Sequence, residues 1–175
     1  MSLQFARKSA EKLTENLSIE NLPIDPKEMA IRHKVPVYEE DLEKDVSGLL
    51  VWSNNRASIF VNKTEEKKRQ RFSIAHELGH YILCHYAHQG DHVHVDQGVR
   101  ILQRNAKSSE GVDSMEIEAN QFAASILMPS HLIRIKVEEV SGGKTLDEQM
   151  IPKIAESFAV SVQAMTIRLV RLGYL

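Results

Sequence analysis

His76, Glu77 and His80, inside the stretch "RFSIAHELGHYILCH", stand in the spacing H-E-x-x-H. On a helix, residues four apart lie about 40° apart on the wheel and one turn apart along the axis, so both imidazoles can converge on one ion. Glu77 falls about 60° to 100° round from them. That sets its carboxylate beside the ion rather than on it, where it can take a proton from a water, the general-base arrangement of metal-assisted hydrolysis. Gly79 inside the motif costs roughly 1 kcal/mol of helix stability relative to Ala. A cost of that size implies that another backbone or a substrate comes close there.

Two histidines do not complete such a site, because catalytic zinc takes three protein ligands and a water. On a helix continued past the motif, His85 projects about 140° from His80 and so points away, and His88 is about 80° off and two turns further on. The longer pattern H-E-x-x-H-x-x-G-x-x-H is absent, since Leu83 and Tyr86 occupy its later positions. The third ligand is sought in "SMEIEANQFAASILMP". There Met115, Ala119, Phe122, Ala123, Ile126 and Leu127 fill one apolar arc, with Glu116 inside it and Glu118 outside. A carboxylate on a core-facing stripe needs a compensating cation. The expected site is therefore Zn2+ held by His76, His80 and Glu116, with water in the fourth position. Asn120, one turn above Glu116, would orient a ligand imidazole from behind. Ala119, Ala123 and Ala124 would let this helix pack closely on the motif helix.

Plainer readings compete at several positions. Glu116 can be a buried carboxylate paired with Arg or Lys. Cys84 reads as a small core residue rather than a redox ligand. His85, His88, His92 and His94 read as surface histidines; His92 and His94, with Tyr81, Arg100 and Arg104, are held only as candidates for contact with a transition state. Lys67, Lys68, Arg69 and Arg71 follow Glu65 and Glu66, so a solvated helix face is expected rather than a phosphate site. "ESFAVSVQAMTIRLVRLG" has the rhythm of a helix-turn-helix, but its second helix offers only Arg168 and Arg171 to nucleic acid, so it reads as packing or docking surface.

The elements that must position these residues follow from periodicity. Apolar residues from Leu3 to Leu17 mark an amphipathic helix, and Asp25, Pro26 and Glu28 start a short helix ending near His33. Strands are expected at Val35 to Tyr38, Gly48 to Trp52 and Ser58 to Val61, the last two joined as a hairpin through "SNNR". Thr64 is expected to cap a long helix running to about His88. The polar stretch 90–112 has a single possible strand, Val99 to Gln103. Helices follow at Ser114 to Met128, Asp147 to Phe158 and Ser161 to Leu172, with "SGGK" as a flexible link. The fold class is α+β: mostly helical, with a small antiparallel sheet of about three strands beside the motif helix. Residues 1–140 are expected to form the zincin-like metallopeptidase domain with its N-terminal helix, and 141–175 a helical extension packed on it.

Composition narrows the setting. The chain has 175 residues, 42% hydrophobic and 26% charged, as in one globular domain. A net charge of -2 removes any global attraction to nucleic acid or anionic membrane. The single cysteine excludes an internal disulfide and fits a reducing compartment. Residues 1–20 are too charged for a signal-peptide core and no apolar run is long enough to span a bilayer, so the expected location is the cytoplasm.

"QRFSIAHELGHYIL" followed by "EIEANQFAASILMP" resembles the ImmA/IrrE family of bacterial and phage-associated zinc metallopeptidases, of the gluzincin type. "LPIDPKEMA", "SGLLVWSNNRASIFVN" and "FAVSVQAMTIRLVRLGYL" also fit its pattern. The resemblance implies His76 and His80 as zinc ligands, Glu77 as general base and Glu116 as third ligand, with Asn120 where related peptidases carry Asp. It further implies a protein substrate, a helix-turn-helix repressor whose cleavage switches on stress-response or mobile-element genes. The alternative is a zinc-containing regulatory protein that inactivates a repressor, or an antitoxin-like partner, by binding alone.

Overall fold

The structure is a computed structural model that describes residues 2–85, 92–96 and 109–175. Its elements in chain order are α1 (Leu3–Thr14), α2 (Pro26–Arg32), β1 (Val37–Glu40), β2 (Gly48–Ser53), β3 (Arg56–Asn62), α3 (Lys67–Ile82), β4 (His92–Asp96), α4 (Ser109–Leu127), α5 (Ser130–Ser141), α6 (Ile151–Ser157) and α7 (Val162–Leu172). The class is α+β, mostly helical with a small sheet, as the sequence implies.

The sheet differs from the expected three antiparallel strands. Its order is β1-β3-β2-β4, with β1 parallel to β3 and β2 antiparallel to both its neighbours. The pair is parallel because the chain reverses twice between the two strands, once through 41–47 and once at the hairpin turn, so β3 runs in the direction of β1. The fourth strand lies in "HVHVD", a run alternating Val with His that has period two but little hydrophobicity. The strand expected at Val99 to Gln103 lies outside the described residues.

Period-two burial orients the sheet. Leu50, Ala57, Ile59 and Val61 are buried on the face covered by α3, and Asn54 and Asn55, both at positive φ, form the hairpin turn. Beyond β3, Asn62 organises the entry into α3: its Nδ2 donates to the Val46 carbonyl at 2.9 Å and its Oδ1 accepts from Thr64 Oγ1 at 2.7 Å. Thr64 is thus spent on the preceding turn, and α3 starts at Lys67 with no side-chain cap.

Helix α3 also ends earlier than expected, at Ile82 rather than near His88. Leu83 stops it, Cys84 takes the left-handed conformation at φ 55°, and the Cys84 and His85 amides donate to the Tyr81 and His80 carbonyls. This is a Schellman cap, which closes the last turn and reverses the chain. Cys84 is exposed, not a core residue, because the reversal turns it outward.

Helix α4 packs along α3 and α1 packs on α4. Phe122, Leu78, Leu50, Ile59 and Phe158 are fully buried in one continuous core that also takes in Ile154, Met165 and Leu169 of the C-terminal helices. Two basic positions are used internally. Arg71 Nη2 donates to the Ile24 carbonyl at 2.6 Å, so the basic cluster is not wholly a solvated face. Arg168 is buried with its Nε donating to the Met128 carbonyl at 3.1 Å, which takes it out of any surface for nucleic acid. No helix among the described residues is long and apolar enough to cross a membrane. Helix α5 follows Pro129 directly, between the helices expected at Ser114 to Met128 and Asp147 to Phe158.

Candidate metal centre

Helices α3 and α4 build the site by lying unusually close. A Cβ placed on Gly79 would come within 3.1 Å of Phe122 Cδ1 and 3.3 Å of the Ala119 Cα and carbonyl oxygen. The glycine in the motif therefore serves the approach of another backbone, that of α4. This contact brings Glu116 onto the face of α3 that carries His76 and His80. Their Nε2 atoms lie 3.0 Å apart, and the Glu116 carboxylate reaches them at 3.1 Å and 3.3 Å.

A fourth side chain joins from the sheet. His94 of β4 places its Nε2 3.4 Å from Glu116 Oε1, and its ring centroid is 4.2 Å from that of His80. His76, His80, His94 and Glu116 together form a group able to hold a metal ion, with one ligand atom of each within 4.8 Å of the others. Of the residues held as transition-state candidates, His94 is thus brought in, while His92 takes the register position opposite Trp52 in the sheet. Tyr81 stacks on Trp52 with ring centroids 5.5 Å apart, and Arg100 and Arg104 lie outside the described residues, as does His88.

The outer nitrogens of the two α3 histidines have partners of their own. His76 Nδ1 lies 3.1 Å from Asn120 Oδ1. His80 Nδ1 lies 2.9 Å from His85 Nδ1, and His85 Nε2 lies 3.2 Å from Glu118 Oε2. An amide oxygen and a carboxylate only accept, so the proton of neutral His76 sits on Nδ1. By the same rule neutral His85 carries its proton on Nε2, and its Nδ1 accepts from His80 Nδ1–H. The His76 and His80 Nε2 atoms then present lone pairs, facing each other and a carboxylate. Acceptors converging at such distances repel unless a cation lies among them, and imidazole nitrogen with carboxylate oxygen is a donor set that suits zinc. The residues present fit a metal ion on chemical grounds.

Burial agrees with that protonation. Loss of hydration pushes His80 down to about 3, with the neighbouring Glu116 carboxylate pulling the other way. His85 is likewise lowered by burial, with Glu118 opposing. Burial would raise the Glu116 carboxyl, but the adjacent His76 and His80 side chains outweigh that and hold it well below the usual carboxylate range.

Glu77 is fully buried beneath β2. Its Oε1 lies 3.4 Å from where a Cβ on Gly48 would stand, so the missing side chain of Gly48 leaves the carboxylate its space. No sequence signal marks Gly48, whose role depends on which strand crosses α3.

Comparison with known proteins bears on the same residues. The family model described as Peptidase_M78, IrrE N-terminal-like domain, matches residues 30–170. The chain belongs to this family. Its match spans β1 through most of α7 and so contains the whole candidate centre of this M78-family chain. No curated protein matches the chain. Among solved structures, a Mycobacterium tuberculosis transcriptional regulator is similar in fold, with a TM-score of 0.61 at 16% sequence identity; the match covers 95% of this chain and 46% of that one. The chain thus spans less than half the length of that regulator.

Two expectations for this M78-family site are corrected by the geometry. His85 does not point away, because the angle assumed a helix through His88, whereas the Schellman cap folds His85 back onto His80. Glu118 is not on an open face: it is 4% exposed, while the Glu116 side chain is 29% exposed. A helical wheel measures only the apolar arc of α4 and cannot show that His85 covers Glu118.

Proposed function

We propose that the chain is a zinc-dependent endopeptidase that cleaves a helix-turn-helix transcriptional repressor at a specific site and so derepresses stress-response or mobile-element genes. The observation that carries this reading is the convergence of the His76 and His80 Nε2 lone pairs with the Glu116 carboxylate, on the helix that also holds buried Glu77. Membership of a peptidase family supports it. The similarly folded Mycobacterium tuberculosis protein is a transcriptional regulator, in keeping with a place in gene control, and the single, exposed cysteine suits the cytoplasm.

His76, His80 and Glu116 would hold the zinc, with Asn120 orienting His76. When bound, zinc supplies positive charge that acidifies a water toward neutral pH and polarises a scissile carbonyl. Glu77 takes the proton from the attacking water and passes it to the leaving amine as the C–N bond breaks. Its burial under Gly48 keeps that carboxylate in one position. His94 is the most exposed of the three histidines at 12%, and to it we assign the carbonyl oxygen of the substrate. Strand β3, which contains Ser58 to Val61, is paired on both sides and so has no edge for an extended substrate. Strand β4 pairs only with β2 among the described residues, carries His94, and offers the outer edge for a peptide to add as a further strand.

Glu77→Gln tests the mechanism. The variant should keep zinc and lose cleavage of the candidate repressor, read as fragments by mass spectrometry; a variant that cuts at the wild-type rate overturns the reading. One observation favours a second function. His94 makes a fourth protein donor, and four protein donors characterise closed zinc sites, as in a regulatory protein that sequesters its partner without cutting it. That protein would form a stable complex with the repressor and yield no fragments with or without chelator.

A further inference from the structure

We propose that Glu118 and His85 form a hydrogen-bonded chain behind His80 that holds its imidazole with the Nε2 lone pair toward the metal, making both of them positioning residues for metal affinity. The inference rests on the reading of His80 as a metal ligand. Two observations and one chemical consequence combine. The distances run in series, 3.2 Å from Glu118 Oε2 to His85 Nε2 and 2.9 Å from His85 Nδ1 to His80 Nδ1. The chain is sealed from solvent, with side-chain exposures of 6% for Glu118, 1% for His85 and 0% for His80. With both imidazoles neutral one arrangement of protons satisfies the series: Glu118 accepts from His85 Nε2–H, and His85 accepts from His80 Nδ1–H, which leaves His80 Nε2 as the coordinating atom.

The backbone is built to deliver this contact. The Schellman cap at Cys84 returns the His85 amide to the His80 carbonyl at 3.1 Å, so main chain and side chain of His85 both fasten on His80. His76 gets a single neutral amide at its Nδ1, from Asn120. His80 instead has a carboxylate at one remove, through an imidazole that transmits its charge. A hydrogen bond that fixes ring orientation and raises basicity strengthens a metal bond, and its loss typically lowers affinity about 10–100-fold.

The experiment measures zinc affinity of the full chain by competition with a chromophoric chelator. His85→Leu, which fills space but cannot accept a hydrogen bond, should bind about 10–100-fold more weakly than wild type. His85→Asn, whose Oδ1 takes the place of the accepting Nδ1, should recover part of that loss, and Glu118→Gln should show a smaller loss than His85→Leu. In the zinc-loaded protein, the His80 Nδ1–H proton should give a slowly exchanging downfield NMR signal that His85→Leu abolishes. Wild-type affinity in His85→Leu overturns the proposal, as does equal loss in the Leu and Asn variants, which would mark His85 as a space-filler. A wild-type protein that binds no zinc overturns this proposal and the metal reading together, whereas tight binding in wild type and His85→Leu alike overturns this one alone.

Discussion

Asn120 Oδ1 on α4 accepts from His76 Nδ1–H on α3 at 3.1 Å, a bond that crosses the same helix contact Gly79 permits. The orientation of His76 therefore depends on how α4 is seated. Asn120→Leu removes the acceptor and should weaken zinc binding by about 10-fold or more. Asn120→Asp replaces it with a charged acceptor and should bind at least as tightly as wild type, since charge-assisted bonds are the stronger ones. Chelator competition on both variants checks this; equal affinities in Leu and wild type would show that Asn120 does not orient the ring.

Gly79→Ala should be destabilising although alanine is the better helix former. The new Cβ would meet Ala119 backbone at 3.3 Å and Phe122 at 3.1 Å, and backbone cannot yield as a flexible side chain can. Overpacking costs about 1–3 kcal/mol, against a gain of about 1 kcal/mol in helix propensity. Urea denaturation should show a lower midpoint, and zinc affinity should fall with it because α4 carries Glu116 away from the histidines.

His94→Ala separates the two functions of the centre. If three donors suffice, the variant keeps zinc within a few-fold of wild type and loses about 100-fold in kcat/KM, the usual cost of removing one group that stabilises an oxyanion. That is the expected result, from the position of His94 on β4, the edge strand among the described residues. Loss of zinc instead would make His94 a fourth ligand and favour the non-proteolytic reading.

The metal-free protein should be acid-labile below about pH 6.5, the ordinary histidine value. His80 is held at about 3, so the unfolded chain takes up a proton that the folded chain refuses. Stability from this group is full above its unfolded value and is lost as pH falls toward the folded one. Glu116, held below the carboxylate range, adds loss of the same sign at lower pH. Urea midpoints measured from about pH 7 to 4 should decline, and His80→Gln should flatten the upper part of that decline. A constant midpoint in wild type would show that His80 is not kept neutral.

The motif residues are legible in the sequence because helical spacing is a local rule: His76, Glu77 and His80 share a helix, and Glu116 and Asn120 share another at i and i+4. Asp25 with Pro26, and the Asn54-Asn55 turn, are legible for the same reason, each being fixed by the residues beside it. The sequence by itself thus determined three of the four side chains that could hold a metal, the helices that bear those three, and the α+β class. Tertiary structure alone decided the partners. Glu118 and His85 meet across 33 positions of chain only because Cys84 adopts a left-handed turn that no residue type there announces. His94 enters because β4 pairs with β2, and Gly48 shelters Glu77 because β2 crosses α3 at that register. Those relations depend on how helices and strands pack at a distance, and packing is chosen by the whole core, not by any short run of residues.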